Sequence, residues 1–252
     1  MKLWRNIKDI VLSLYYPSGQ VFLVSFPNSG RTWLMYMLKS ILKEAGRESI
    51  YIEDTHDCSE IIIEDGTRQD PHLIFKFTNR FRYLRAKVIF LSRDPRDIIA
   101  SNFHQVTKRS RNPFEFNSRS EFVSHDVYGF NRIIHFFNMW YDNKSKPKDF
   151  LLVKYENLLE NTLDLKKVIS FLNVDISEES IERIYQECSA NIMREKERKN
   201  QLEGFSDFGK EANNLKVRKA RKGSYVKELT LEDITFCNKE MGKLNPYFGY
   251  KT

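Results

Sequence analysis

Small, hydroxyl-bearing and cationic residues meet in the stretch SFPNSGRTWL at positions 25–34. It follows the apolar run QVFLV and precedes a segment whose apolar residues recur every three or four positions, which predicts a strand, a turn and a helix. Backbone N–H groups at such a helix N-terminus favour a bound phosphate or sulfate. The turn nearly matches a Walker A loop, with Ser25 in place of the first Gly and Arg31 in place of Lys. It predicts an anion site without naming the anion, and an ordinary strand-to-helix turn is the alternative.

A second stretch, FLSRDPRDIIASN, also suits an anion. Arg93 follows a predicted strand, and Ser101 lies eight positions later. A cation and a hydroxyl at this spacing reach one phosphate only if the connecting segment folds back. The alternative is that Arg93 pairs with Asp94 or Asp97.

The third stretch is ARKGSY, near the end of the chain. Arg221 and Lys222 supply two cations, and Gly223 allows backbone N–H groups to approach an anion closely. A solvated surface loop is the alternative.

Apolar runs that are typical of buried strands alternate with segments of helical periodicity. Strands are predicted at positions 20–26, 72–77, 87–92 and 149–155. The helix signals are a periodic segment from Thr32 to about Ala45, Pro95 in a first turn, and a capping box of Thr230 with Asp233. This alternation predicts an α/β fold with a central, mainly parallel sheet flanked by helices. Ligands of such sheets bind beyond the carboxyl ends of the strands, where the first two stretches begin.

Composition limits the class of protein. The chain has 252 residues, of which 41% are hydrophobic, so we expect one domain over residues 1–252 with one large core. A formal charge of +7 suits an anionic ligand without requiring nucleic acid. Three widely spaced cysteines favour a reducing compartment. The sequence has no apolar run long enough to span a membrane, so we expect a cytoplasmic protein without membrane insertion.

The order and spacing of these stretches resemble the sulfotransferases that use 3′-phosphoadenosine 5′-phosphosulfate (PAPS). The resemblance runs from SFPNSGRTWL through SRDPRDIIASN and LLVKYENLL to RKGSY and MGKLNPYFGY. It implies the P-loop-like sulfotransferase fold, PAPS as the donor, adenosine 3′,5′-bisphosphate (PAP) as the product, and no metal. The implied donor site has Asn28, Ser29, Gly30, Arg31 and Thr32 around the 5′-phosphosulfate, Trp33 and Tyr155 beside the adenine, Arg93 and Ser101 at the 3′-phosphate, and Arg221, Lys222 and Gly223 closing over it.

The first loop departs from the family pattern at Asn28. Relatives normally have Lys or Arg at this place, where it neutralises the oxygen of the leaving group. Another cation must then stabilise that charge, or catalysis is weakened. Arg31 is the first candidate and Lys76, at the end of a predicted strand, is the second.

The acceptor must also lose a proton, which requires a general base. Among five histidines we favour His56 in EDTHDCSE, because it resembles the THD segment of bacterial relatives. Many other relatives carry a KTH triplet, and the matching place here is KFT, with Thr78 where that base would be. His104, on the helix that follows Arg93, is the alternative.

The acceptor is expected to be a small molecule. Positions 53–70, taken as an acidic loop, hold seven acids and one base, which favours a neutral or cationic acceptor. A guanidinium alkaloid of bacterial secondary metabolism is one instance. Two other function classes are a P-loop kinase or nucleotide-binding protein, and a PAPS- or PAP-binding protein with weak catalysis. The sequence does not determine the oligomeric state.

Overall fold

A computed structural model describes residues 19–55, 83, 85–108, 116–126, 128–199, 201 and 221–251. The strands are β1 (Val21–Ser25), β2 (Ile52–Thr55), β3 (Lys87–Ser92) and β4 (Asp149–Lys154). The helices are α1 (Arg31–Glu44), α2 (Pro95–Lys108), α3 (Arg119–Ser124), α4 (Phe130–Asn143), α5 (Tyr155–Glu160), α6 (Leu163–Phe171), α7 (Glu178–Glu187), α8 (Ala190–Arg198), α9 (Tyr225–Glu228) and α10 (Leu231–Met241), followed by a 3₁₀ turn at Pro246–Phe248.

The four strands form one parallel sheet in the order β2-β1-β3-β4. The register pairs Val21 with Ile52 and with Lys87, and Lys87 with Asp149. The carboxyl ends of β1, β3 and β4 therefore lie at one edge of the sheet. The turns that follow β1 and β3 contain two of the anion-suited stretches, so the sheet brings them together.

Three of the predicted strands are confirmed, and the one predicted at 72–77 lies outside the described residues. The structure corrects the prediction of an acidic loop at its first two residues, because Glu53 and Asp54 lie in strand β2. Only Ile52 of this strand is buried. An edge strand with three polar residues of four lacks the apolar pattern by which strands are recognised, so the pairing with β1 decides its conformation.

The sheet is buried on both faces, which explains the continuous apolar runs of its central strands. Phe22, Val24, Val88 and Phe90 face one core, and the alternate residues of the same strands face the other. The first core is completed by α2, α4 and α10, and the second by α1, α6 and α7. The expected α/β fold with helices on both faces of a parallel sheet is confirmed.

Local signals set the helix ends. Pro95 is the first residue of α2, and α1 begins one residue before its predicted start. Thr230 and Asp233 form the predicted capping box, since each side chain accepts a hydrogen bond from the backbone N–H of the other. Within the described part of the chain, no helix has the length and apolar character needed to cross a membrane.

Candidate functional site

The first turn connects β1 to α1 and has an unusual backbone. Asn28 and Gly30 have φ values of 65° and 93°, in the left-handed region. A β-carbon at Gly30 would also lie 2.5 Å from a ring carbon of Tyr155. Both constraints require glycine at this place. The turn is therefore pressed against Tyr155, the first residue after β4.

Arg93 joins the first turn to the second. Its Nη1 atom donates a hydrogen bond of 2.9 Å to the backbone carbonyl of Asn28. The same atom lies 3.5 Å from Ser101 Oγ, a long contact, and the guanidinium lies 4.7 Å from the centroid of the Tyr155 ring. The structure thus brings Arg93 and Ser101 together beside the first turn.

The two carboxylates that compete for Arg93 in the sequence are engaged by other groups. Asp94 accepts from Arg96, with an Nη2–Oδ2 distance of 2.7 Å and an Nε–Oδ1 distance of 3.0 Å. Asp97 accepts three hydrogen bonds from residues 223–225. Arg93 is directed instead at Asn28 and Ser101.

The third turn docks onto the start of α2 through Asp97. The N–H of Gly223 donates to Asp97 Oδ2 over 2.8 Å, so this N–H is already used by a carboxylate. Lys222 forms an ion pair with Glu160. Arg221 and Lys222 are both exposed. Among the described residues of this turn, the two cationic side chains are therefore exposed, while the Gly223 N–H is used within the protein.

Arg31 is the half-buried cation of the first turn. Its Nε atom lies 2.9 Å from Oδ2 of Asp54 on β2. Burial lowers the pKa of the Arg31 guanidinium, and the carboxylate of Asp54 opposes this shift. Thr32 follows Arg31 in α1 and is half-buried.

Several buried polar atoms around the turns have no hydrogen-bond partner among the residues that the structure describes. They are Ser29 Oγ, Arg31 Nη1 and Arg93 Nε. Buried donors without a partner are costly, and native sites satisfy them with protein groups, water or ligands. Two guanidinium donors and a hydroxyl at the carboxyl edge of the sheet fit an anionic nucleotide.

Two aromatic side chains form a wall beside these cations. The rings of Trp33 and Tyr155 meet edge to face, with centroids 5.8 Å apart. Trp33 Nε1 donates to the carbonyl of Cys188 over 2.7 Å, which fixes the indole. Burial raises the pKa of the Tyr155 hydroxyl. The buried Tyr155 ring thus lies against Gly30 and Arg93, with the Trp33 ring beside it.

The Asn28 side chain does not supply a charge. Its Nδ2 atom donates to Oδ1 of Asn102, the residue after Ser101 on α2. The amide therefore ties the first turn to α2. The sequence analysis missed Asn102, although its position directly after Ser101 was a usable signal.

A hydrogen-bond network around Glu156 holds the turn that contains Arg93. The sequence analysis missed this network as well. Glu156 accepts from the N–H of Asp94 over 2.8 Å and from the hydroxyl of Tyr250 over 3.0 Å. The Tyr250 hydroxyl also lies 3.0 Å from Ser92 Oγ. Burial raises the pKa of both Glu156 and Tyr250. Glu156 and Tyr250 lie within the YENLL and YFGY stretches, which were the only sequence signal for them.

Of the three favoured catalytic candidates, Arg31, His56 and Lys76, the structure describes Arg31. His56 and Lys76 lie outside the described residues. The alternative base, His104, lies on α2 and is half-buried. Among the described residues no group of three or more His, Cys, Asp and Glu side chains could hold a metal ion.

Known proteins are similar to this chain over most of its length. The family described as the sulfotransferase domain matches residues 18–244. Sulfotransferase 2A1 of Macaca fascicularis is 27% identical over 250 residues, which cover 90% of this chain and 83% of that protein. Amine sulfotransferase of Oryctolagus cuniculus is 26% identical over 213 residues, which cover 77% of this chain and 68% of that protein.

Solved structures share the fold. Mouse sulfotransferase SULT7A1 complexed with PAP superposes with a TM-score of 0.65 at 19% identity, covering 92% of this chain and 87% of that one. Retinol dehydratase in complex with androsterone and inactive cofactor PAP gives a TM-score of 0.61 at 16% identity, covering 90% and 81% of the two chains. The P-loop-like sulfotransferase fold is confirmed. Because the family match spans nearly the whole chain, the protein belongs to the sulfotransferase domain family of enzymes, as its resemblance to PAPS-dependent sulfotransferases predicts.

Proposed function

We propose that this protein transfers a sulfuryl group from PAPS to a hydroxyl or amine of a small molecule. The observation that carries the proposal is the joining of the three anion-suited turns at one edge of the sheet. Arg93 links the second turn to the first through Asn28, and Asp97 links the third to the second through Gly223. A nucleotide with phosphate groups at both ends matches such a site. The two solved relatives described above contain PAP, which supports the choice of nucleotide.

The first turn and Arg31 would hold the 5′ end of the donor. PAPS supplies an activated sulfuryl group, whose bond to the phosphate oxygen breaks as the bond to the acceptor forms. Ser29 and Arg31 have buried polar atoms available there. Arg31 would stabilise the charge that develops on the phosphate, with Lys76 as the second cation. His56 would take the acceptor's proton.

The other end of the donor would lie against the second and third turns. Arg93 and Ser101 would bind the 3′-phosphate, with Arg93 Nε and the hydroxyl as donors. The side chains of Arg221 and Lys222 would close over it. Trp33 and Tyr155 would stack or pack against the adenine.

A weaker catalyst is the second candidate, and one observation favours it. The residue at the place of the family's loop cation is Asn28, whose amide is held by Asn102. A neutral, fixed amide cannot neutralise a leaving phosphate. If Arg31, which is already paired with Asp54, does not compensate, the protein binds the donor nucleotide with little turnover.

For the acceptor we propose a cationic small molecule, such as a guanidinium-bearing metabolite of bacterial secondary metabolism. Glu53 and Asp54 on β2 belong to the acidic segment that supports this choice. The charge of Asp54 is already offset by its ion pair with Arg31. One relative carries the name amine sulfotransferase, which is consistent with a basic acceptor.

Calorimetric titration tests the nucleotide assignment. The protein is titrated with PAP in the presence of a chelator, and separately with ATP and Mg²⁺. We expect saturable binding of PAP without metal and weaker binding of ATP. A preference for Mg·ATP would contradict the proposal and support a kinase.

Product detection then tests turnover. With PAPS and a panel of amines and alcohols, mass spectrometry should show products that have gained one sulfuryl group. Binding of PAP without any such product, across cationic and neutral acceptors, would favour the weak catalyst.

A further inference from the structure

Asp97 occupies an unusual position between two of the three turns. It lies in the first turn of α2 and is fully buried, at 0% exposure. Its Oδ2 atom accepts from the N–H of Gly223 over 2.8 Å. Its Oδ1 atom accepts from the N–H of Tyr225 over 2.9 Å and from Ser224 Oγ over 3.0 Å. Three donors from one short segment therefore surround a single carboxylate.

The neighbouring Arg96 makes a second attachment to the same segment. Its guanidinium lies 4.6 Å from the centroid of the Tyr225 ring. Asp94 holds this guanidinium with two contacts, and Asn238 accepts from its Nη1 atom over 2.8 Å. Residues 223–225 are thus fastened to the helix that carries Ser101 and that follows Arg93.

Among the described residues, a further contact of the third turn is an exposed ion pair. The ion pair of Lys222 with Glu160 joins two side chains that are 62% and 50% exposed. Exposed pairs of this kind contribute little to holding a segment in place. The buried carboxylate of Asp97 therefore holds residues 223–225 more firmly than this ion pair does.

We infer that Asp97 is a positioning residue for donor recognition. Asp97 accepts hydrogen bonds from residues 223–225 and so holds the third turn beside the start of α2, which Arg93 precedes. In this position the cations of Arg221 and Lys222 close on the 3′-phosphate. Asp97 itself does not touch the donor, because its oxygens are used by the turn. The inference rests on the proposed function and adds to it the residue that sets selectivity for a 3′-phosphorylated nucleotide.

The test compares two nucleotides that differ only in the 3′-phosphate. Dissociation constants for PAP and for 5′-AMP are measured by calorimetry on the full chain and on Asp97→Asn. The amide retains the shape but directs an N–H group at a donor of the turn. We expect the Kd for PAP to rise about 10- to 100-fold, the scale of a lost charge-assisted hydrogen bond, and the Kd for AMP to change less than about twofold.

A matched control is available in Asp164. It too is a buried aspartate in the first turn of a helix, and it accepts from Lys154 N, Asn157 Nδ2 and Lys167 Nζ. Asp164→Asn removes a comparable cluster of contacts elsewhere in the fold. It should leave the ratio of the PAP and AMP constants unchanged, as a general loss of stability would.

A double-mutant cycle separates positioning from other effects. In an Arg221→Ala, Lys222→Ala background, Asp97→Asn should cost less than about twofold in PAP affinity, because the cations it positions are gone. Equal loss of PAP and AMP binding in Asp97→Asn, or full additivity in the cycle, would overturn the inference. If Asp97→Asn does not fold, Ser224→Ala provides the test, because it removes one of the three hydrogen bonds to Asp97. It should weaken the binding of PAP, and not of AMP, by about 3- to 10-fold. No binding of PAP by the unaltered protein would instead refute the proposed function.

Discussion

Replacing Arg93 by Met tests the centre of the proposed site, because this side chain joins two of the turns. Met keeps the length and apolar stem but removes the charge and every N–H donor. The protein then loses the 2.9 Å bond to the Asn28 carbonyl and the contact with the Tyr155 ring. Together these losses amount to about 1–3 kcal/mol of folding free energy. For a chain of this size the Tm should fall by roughly 2–12 °C.

The effect on the nucleotide should be larger and selective. A charge-assisted hydrogen bond to a buried phosphate contributes about 1.5–3 kcal/mol, which corresponds to a rise in the Kd for PAP of roughly 10- to 140-fold. Calorimetry with PAP and with 5′-AMP measures it, and AMP should be nearly unaffected.

Arg93→Lys is the matched variant for this experiment. It restores a charge but not the planar fork that reaches the Asn28 carbonyl and a phosphate together, so its affinity should be intermediate. A folded Arg93→Met protein that binds PAP within twofold of the unaltered protein would show that the 3′-phosphate lies elsewhere.

Three further predictions concern the turn, the buried network and the base. Gly30→Ala should destabilise the fold by at least about 1–2 kcal/mol in thermal denaturation, because of the left-handed φ and the ring of Tyr155; an unchanged Tm would mean that the turn can shift. Burial raises the pKa of Glu156 above its ordinary value of 4.5, so the folded state keeps a proton that the unfolded chain releases. This carboxyl therefore lowers the free energy of unfolding as pH rises from its ordinary pKa through its raised pKa in the folded state. Glu156→Gln should flatten that slope in urea titrations at several pH values, and an unaltered slope would refute the assignment. His56→Ala should lower kcat by about 100- to 10,000-fold while the Kd for PAP stays the same; retained turnover would pass the role to His104 or to solvent.

Short sequence patterns were sufficient to predict much of the fold. The apolar runs of β1, β3 and β4, the proline that begins α2 and the capping box of Thr230 with Asp233 were all readable from short windows. The order of the motifs also predicted the family, which the match over residues 18–244 confirms. Strand β2 was not readable in this way, because its polar residues acquire strand geometry only by pairing with β1.

The sequence by itself determined which residues could bind an anion and in what order they occur along the chain, because residue type and short-range spacing set helix starts, strands and turn conformations. Only the tertiary structure decided which partner each one takes. Arg93 turns to Asn28 and away from the adjacent Asp94, Asp97 takes the N–H of Gly223, and Arg31 meets Asp54. Asn28 and Arg93 are 65 positions apart, and Asp97 and Gly223 are 126 apart. A choice between a near and a distant partner depends on where the sheet and the packed helices place each group, which no local pattern encodes.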